Sequence, residues 1–296
     1  MKNLGRILAI LAGFALGAAT IGGTANAGDY TVAPCSSVDS PSSVVEYVES
    51  PASNPGFVGE PNCPGGSLTR VSGATYPGDM ASLKVEAPQG TGFLGVTFDS
   101  YHNPSYGGVT SRFMFNNAGG ANTEVGNVPT YGEPTSWFDW FDVTDGQPRS
   151  IFRATLKCEN PVDPCASGGA RIGFYLPKFK IRDSLAPTAY FLGGTLFNPG
   201  TVSGMRTAQL GGIDNGGGVS AISINVNDAL ANWTFPTCGR AGLSPCPRDP
   251  TTTFNVNTAG SNFVNGMNKI SVCVQDYAAT GGTNATCDHR YINVAK

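Results

Sequence analysis

The chain is poor in charge and nearly devoid of histidine. Charged residues make up 13 % of it, against the roughly 25 % usual in globular domains, and His102 and His289 are its only imidazoles. With one histidine in each half, a Ser-His-Asp or Cys-His centre would have to rest on a single residue. No G-x-S-x-G, H-E-x-x-H, P-loop or Rossmann fingerprint occurs. There is no basic run, which excludes the electrostatic footprint of a nucleic-acid or anionic-membrane partner. There is no C-x-x-C pair either, so thiolate zinc chemistry lacks its close ligand spacing. No segment after the N-terminus is apolar for the ~20 residues that a membrane-spanning helix needs.

What is present begins with an export signal. Lys2 and Arg6 precede an apolar stretch from Ile7 to Ile21, followed by Ala25-Asn26-Ala27. That order is the n-region, h-region and A-x-A cleavage site of a secretory signal peptide, predicting removal of residues 1–27. Losing Lys2 and Arg6 leaves 16 basic against 21 acidic residues, a net charge of −5. All eight cysteines follow the cleavage site: Cys35, Cys63, Cys158, Cys165, Cys238, Cys246, Cys273 and Cys287. An even set behind a signal peptide reads as disulfides in an oxidising compartment. Pairing of sequence neighbours (35–63, 158–165, 238–246, 273–287) is the simplest arrangement, though sequence alone leaves other connectivities open. Secretion or display at the cell surface follows as the expected location.

Glycine (40) and proline (21) together form about a fifth of the chain, and aromatics 10 %. That composition suits many short strands joined by turns and predicts an all-β protein. Alternation is clearest where Ile151, Arg153, Thr155 and Lys157 oppose Phe152, Ala154 and Leu156, and where Leu83 and Val85 oppose Lys84 and Glu86. Further strands are predicted over 67–71, 92–98, 109–115, 136–143, 171–176 and 178–182. Residues 43–49 fit a short helix or a strand. Turn signals at Tyr76-Pro77-Gly78-Asp79, Asn103-Pro104 and Asp145-Gly146 punctuate the series. Arg182-Asp183-Ser184-Leu185-Ala186-Pro187 ends it, because the proline cannot continue strand pairing. Two domains are expected, 28–183 and 184–296. The first is a jelly-roll-like sandwich. The second, with strands over 188–192, 205–210, 219–226, 252–257, 269–275 and 291–294, is an immunoglobulin-like sandwich.

Four short motifs in the second half carry a resemblance. Asp183-x-x-Ala186-Pro187, Asp214-Asn215-Gly216-Gly217-Gly218-Val219, Asn265-Gly266-Met267-Asn268 and Val274-Gln275-Asp276-Tyr277-Ala278 are similar to those of bacterial extracellular Ig-like domains. Gly217 stands where serine is usual there, and Ala279-Thr280 where Gly-Asn is usual. The resemblance covers about the last 110 residues and implies a structural or adhesive module. The first half resembles, more loosely, the lectin-like modules of secreted bacterial proteins.

The densest aromatic run is Trp137-Phe138-Asp139-Trp140-Phe141-Asp142. As a strand it puts Trp137, Asp139 and Phe141 on one face and Phe138, Trp140 and Asp142 on the other. Rings beside carboxylates suit sugars, the ring stacking on C–H faces while the carboxylate accepts hydroxyl protons. Core packing is the competing role for these rings. A glycan platform would use Trp137, Trp140, Asp139 and Asp142, with Tyr131 and the loop Tyr101-His102-Asn103 as additions. Asp139, Asp142, Glu124 and Glu133 are the local carboxylates that a polysaccharide hydrolase would need. Asp214-Asn215 and Asp276 offer oxygen ligands at strand ends, but Asp and Asn before glycine ordinarily serve turns, so no metal or cofactor is expected. Asn232-Trp233-Thr234 and Asn284-Ala285-Thr286 match the glycosylation pattern; in a bacterial host neither is expected to be used. The leading reading is a secreted or surface, non-enzymatic, glycan-binding or adhesive protein. A secreted polysaccharide hydrolase with an Ig-like spacer and a purely structural surface module are the rivals.

Overall fold

The structure, a computed structural model, describes residues 28–35, 44–50, 57–60, 67–71, 75–103, 108–117, 122–127, 137–161, 164–165, 170–239, 242–278 and 284–296. They form two compact units. One comprises the described residues of Thr31–Arg182 with Ala241–Leu243; the other comprises those of Asp183–Arg240 and Ser244–Lys296 together with Gly28–Tyr30.

The first unit contains β2 (Glu46–Ser50), β3 (Phe57–Glu60), β4 (Ser67–Val71), β5 (Met80–Glu86), β6 (Thr91–Asn103), β7 (Val109–Asn116), β8 (Asn122–Asn127), β9 (Trp137–Asp142), β10 (Ile151–Cys158) and β11 (Arg171–Asp183). Strand β1 (Gly28–Val32) pairs with β11. One sheet runs β3-β4-β11-β6-β9 and the other β2-β5-β10-β7-β8. Successive strands pass back and forth between the sheets, as in a jelly roll. Of the stretch at 43–49, residue 43 lies outside the described residues and the part from Glu46 onward is strand: Glu46 pairs with Lys84 across the ladder and their side chains form an ion pair at 2.5 Å.

Seven phenylalanines fill the space between these sheets: Phe93, Phe98, Phe174 and Phe179 from one, Phe113, Phe115 and Phe152 from the other, all essentially unexposed. Phe152 alone meets Phe98, Phe113, Phe115, Phe174 and Phe179 with ring centroids 5.4–6.2 Å apart. The alternation in β10 thus points Phe152, Ala154 and Leu156 inward, while Lys157 is exposed. In β11 the inward set changes parity, from Ile172 and Phe174 to Phe179 and Ile181. The change falls at Leu176, whose φ of 45° breaks the pleat immediately before Pro177. The predicted strands 171–176 and 178–182 are therefore one bent strand.

The second unit holds β12 (Thr188–Gly193), β13 (Thr201–Val202), β14 (Met205–Ile213), β15 (Val219–Val226), β16 (Ala229–Thr234), β17 (Thr251–Asn257), β18 (Gly266–Asp276) and β19 (Ala285–Val294), with one 3-10 turn at Thr195–Phe197. Its sheets run β12-β14-β17 and β13-β19-β18-β15-β16. Three strands facing a larger sheet, with a short parallel pairing of β13 on β19, is the Ig-like sandwich that was expected. Leu210, Ile222, Ile224, Ile270, Val272 and Val274 are among its buried core residues. Strand β16 was not anticipated. It follows a two-residue hairpin turn at Asn227-Asp228, with φ of 49° and 66°, the left-handed pair that suits the twist of antiparallel strands.

Three of the anticipated disulfides are formed: Cys158–Cys165, Cys238–Cys246 and Cys273–Cys287. Cys35 is also disulfide-bonded, and its expected partner Cys63 lies outside the described residues. The protein is thus all-β and disulfide-stapled. No helix among the described residues is long and apolar enough to cross a membrane.

Candidate functional site

Asp183, Asp214 and Asp276 stand 31 and 62 positions apart in sequence, yet they meet at one end of the second unit. Asp183 closes β11, Asp214 follows β14 and Asp276 closes β18. One carboxylate oxygen of each lies within 4.8 Å of those of the other two. Their residues are 0 %, 3 % and 1 % exposed, which is unusual for carboxylates.

Local backbone geometry holds two of them tightly. Leu185 N–H donates to Asp183 Oδ1 at 3.0 Å, closing a small Asx turn, and Gly217 N–H donates to Oδ2 at 2.9 Å. Gly218 N–H donates to Asp214 Oδ2 at 2.7 Å, while Asp214 Oδ1 has no partner. The glycine run is a steric requirement. A Cβ on Gly216 would lie 1.7 Å from Asp183 Oδ2, and one on Gly218 would lie 2.3 Å from the carbonyl oxygen of Cys246.

Asn284 joins the group from the position immediately before β19. Its backbone carbonyl accepts from Asp276 N–H at 3.2 Å. Its Nδ2 donates to Leu185 O at 3.2 Å and, by a short contact, to Asp276 Oδ2. Two acceptors facing one end of the amide fix which end is nitrogen. That leaves Asn284 Oδ1 buried and without a partner. Asn268, buried to the same degree, differs: its Oδ1 accepts from Val264 N–H and Asn227 Nδ2, and its Nδ2 donates to Val264 O and Gly266 O.

Electrostatics follow from this geometry. Burial pushes the Asp183 carboxyl up, opposed by the two N–H donors. Burial, with the Asp183 charge beside it, pushes Asp214 up to about 6. Among the described residues, no lysine, arginine or histidine pairs with Asp183 or Asp214.

The aromatic run anticipated as a glycan platform forms β9, the edge strand beside β6. Its ladder sets Phe138 opposite Asp99, Asp139 opposite Phe98, Trp140 opposite Thr97, Phe141 opposite Val96 and Asp142 opposite Gly95. Asp142 is exposed. The side chains of Trp137, Asp139, Trp140, His102 and Glu124 lie outside what is described, as do Tyr131 and Glu133 altogether. A second aromatic pair escaped the sequence reading. Trp233 and Phe235, 41 % and 42 % exposed, meet edge-on with centroids 6.4 Å apart. Of the two glycosylation motifs, Asn284 is buried and closed to modification, while Asn232 is exposed.

No protein-family model matches the chain, and no curated protein does. Similar solved structures include the adhesin domain of Epf from Streptococcus pyogenes, at 10 % identity, 92 % coverage of each chain and a TM-score of 0.28. The fibronectin(III)-like modules of CbhA from Clostridium thermocellum share 14 % identity over 77 % of this chain and 93 % of theirs, with a TM-score of 0.26. The glycoside hydrolase domain of Endo-D from Streptococcus pneumoniae shares 10 % identity with a TM-score of 0.27 over 84 % of this chain, which spans 37 % of that one. At such scores none of them bears on what this chain does, and the sandwich assignment stands on the strand pairing itself.

Proposed function

We propose that this chain is an exported recognition protein that works outside the cytoplasm by binding glycan, not by catalysis. Export is supported by the signal-peptide pattern of residues 1–27 together with disulfides closing short loops, the chemistry of an oxidising compartment. The binding face is assigned to β9, and the observation that carries it is the exposure of Asp142 on an edge strand. Residues directly opposite in an antiparallel ladder share a face. Val96 and Phe98, opposite Phe141 and Asp139, are buried, whereas Thr97 and Asp99, opposite Trp140 and Phe138, are partly exposed. The proposed platform uses the β9 positions on that partly exposed side of the ladder, Trp140 and Asp142.

A glycan array probed with the mature protein tests the reading. The parent protein is expected to retain a defined set of glycans, and Trp140→Ala or Asp142→Asn to lose them without a change in melting temperature. A parent protein that retains no glycan, or Trp140→Ala with unaltered binding, overturns it.

A further inference from the structure

We propose that the second unit binds one calcium ion, held by Asp183, Asp214, Asp276 and the side-chain carbonyl of Asn284. The acidic cluster would not carry this alone, since buried carboxylates also serve turns. A second observation points to a ligand. Asn284 Oδ1 is an unpartnered oxygen on a residue 1 % exposed, on an amide whose other end is fixed against Asp276 and Leu185. Leu185 is in turn the residue whose N–H holds Asp183. Asp214 Oδ1 is likewise buried without a hydrogen-bond donor. A native structure leaves few buried polar atoms unsatisfied, and here two acceptors belong to one cluster of like charge. A cation supplies what both lack.

The donor set identifies the ion class. Every candidate ligand is an oxygen, three of them anionic, which suits hard cations and not zinc or copper. Calcium takes 6–8 oxygens at about 2.3–2.6 Å, a shell roughly 4.6–5.2 Å across; one carboxylate oxygen of each aspartate lies within 4.8 Å of those of the other two. Magnesium demands a smaller, near-octahedral shell and keeps several waters, which residues only 0–3 % exposed leave little room for. Carboxylates from three strand ends also explain what the ion does. It ties Asp183, ahead of β12, to the ends of β14 and β18 within the second unit, where each ligand would otherwise repel the next.

The test uses the full mature chain, stripped with a chelator and titrated with calcium alone, followed by thermal melting and by calorimetry. Calcium up to about 10 mM covers the ~0.1–1 mM affinities of extracellular modules. The melting temperature of the second unit is expected to rise by several degrees, and magnesium at equal ionic strength to produce little of that rise. Asp214→Asn keeps the shape while removing a ligand charge. It is expected to fold in chelator at least as well as the parent and to lose the calcium response. Calorimetry on the parent stands independently of any variant and is expected to show one saturable site. Absence of binding heat and of a melting shift in the parent overturns the proposal, and so does an Asp214→Asn variant with the full calcium response.

Discussion

Gly216→Ala probes the cluster with a single methyl group. Gly216 is outside the left-handed region, so the backbone itself accepts alanine. The added Cβ, however, would sit 1.7 Å from Asp183 Oδ2 and 2.3 Å from its Cγ. Asp183 cannot swing away freely, because it is unexposed and its two oxygens accept from Gly217 and Leu185 N–H. Relief therefore breaks one or both of these charge-assisted hydrogen bonds, each worth about 1.5–3 kcal/mol. The expected cost is about 2–5 kcal/mol, or roughly 10–25 °C in the melting temperature of a unit this size. Gly200→Ala is the control. Its φ of 90° strains alanine, but nothing lies within 4 Å of the new Cβ, so it should cost only about 1–2 kcal/mol. Urea unfolding of both variants in chelator, followed by a second-unit probe such as Trp233 fluorescence, measures the difference. If Gly216→Ala unfolds within about 0.5 kcal/mol of the parent, the tight packing of Asp183 against the glycine run is refuted.

Other outcomes follow from the same geometry. Phe152→Ala, which empties the centre of a six-ring contact, should destabilise the first unit by about 3–5 kcal/mol in denaturant titration. Replacing Cys158 and Cys165 together by alanine removes a bridge with a sequence separation of 7 and should cost about 2–3 kcal/mol through the unfolded chain alone, read from the same titration. Asp214 carries a folded value of about 6 against about 3.9 when unfolded, so the native state holds the extra proton between them. Metal-free second unit should then lose stability as pH rises from about 4 to 6, and melting in chelator across that range checks the sign.

Much of the fold was legible because period two survives wherever one strand face is buried. The sets Phe152/Ala154/Leu156 and Leu83/Val85 point to the core as their alternation requires. The parity change between Phe174 and Phe179 was visible as two strands; only the positive φ at Leu176 shows them to be one. Strand β16 escaped because Ala229-Leu230-Ala231-Asn232 has no alternation. It is an edge strand with mostly exposed residues, placed by its turn and its ladder to β15, not by its own pattern. The acidic site was legible in pieces. Asp183 marked a boundary, Asp214 and Asp276 read as turn residues, and Asn284 read as a glycosylation motif. Their convergence depends on which strand ends share one end of the sandwich, which is a property of sheet topology and not of any local spacing.

The measurement closest to the central claim, that these strand ends converge to hold a cation, is a crystal structure of the protein grown with calcium. A density peak too strong for water is expected between Asp183, Asp214 and Asp276, with carboxylate oxygens and Asn284 Oδ1 about 2.3–2.6 Å away. The same position filled by protein hydrogen bonds, by a lysine or arginine side chain, or by an ordinary water would contradict it.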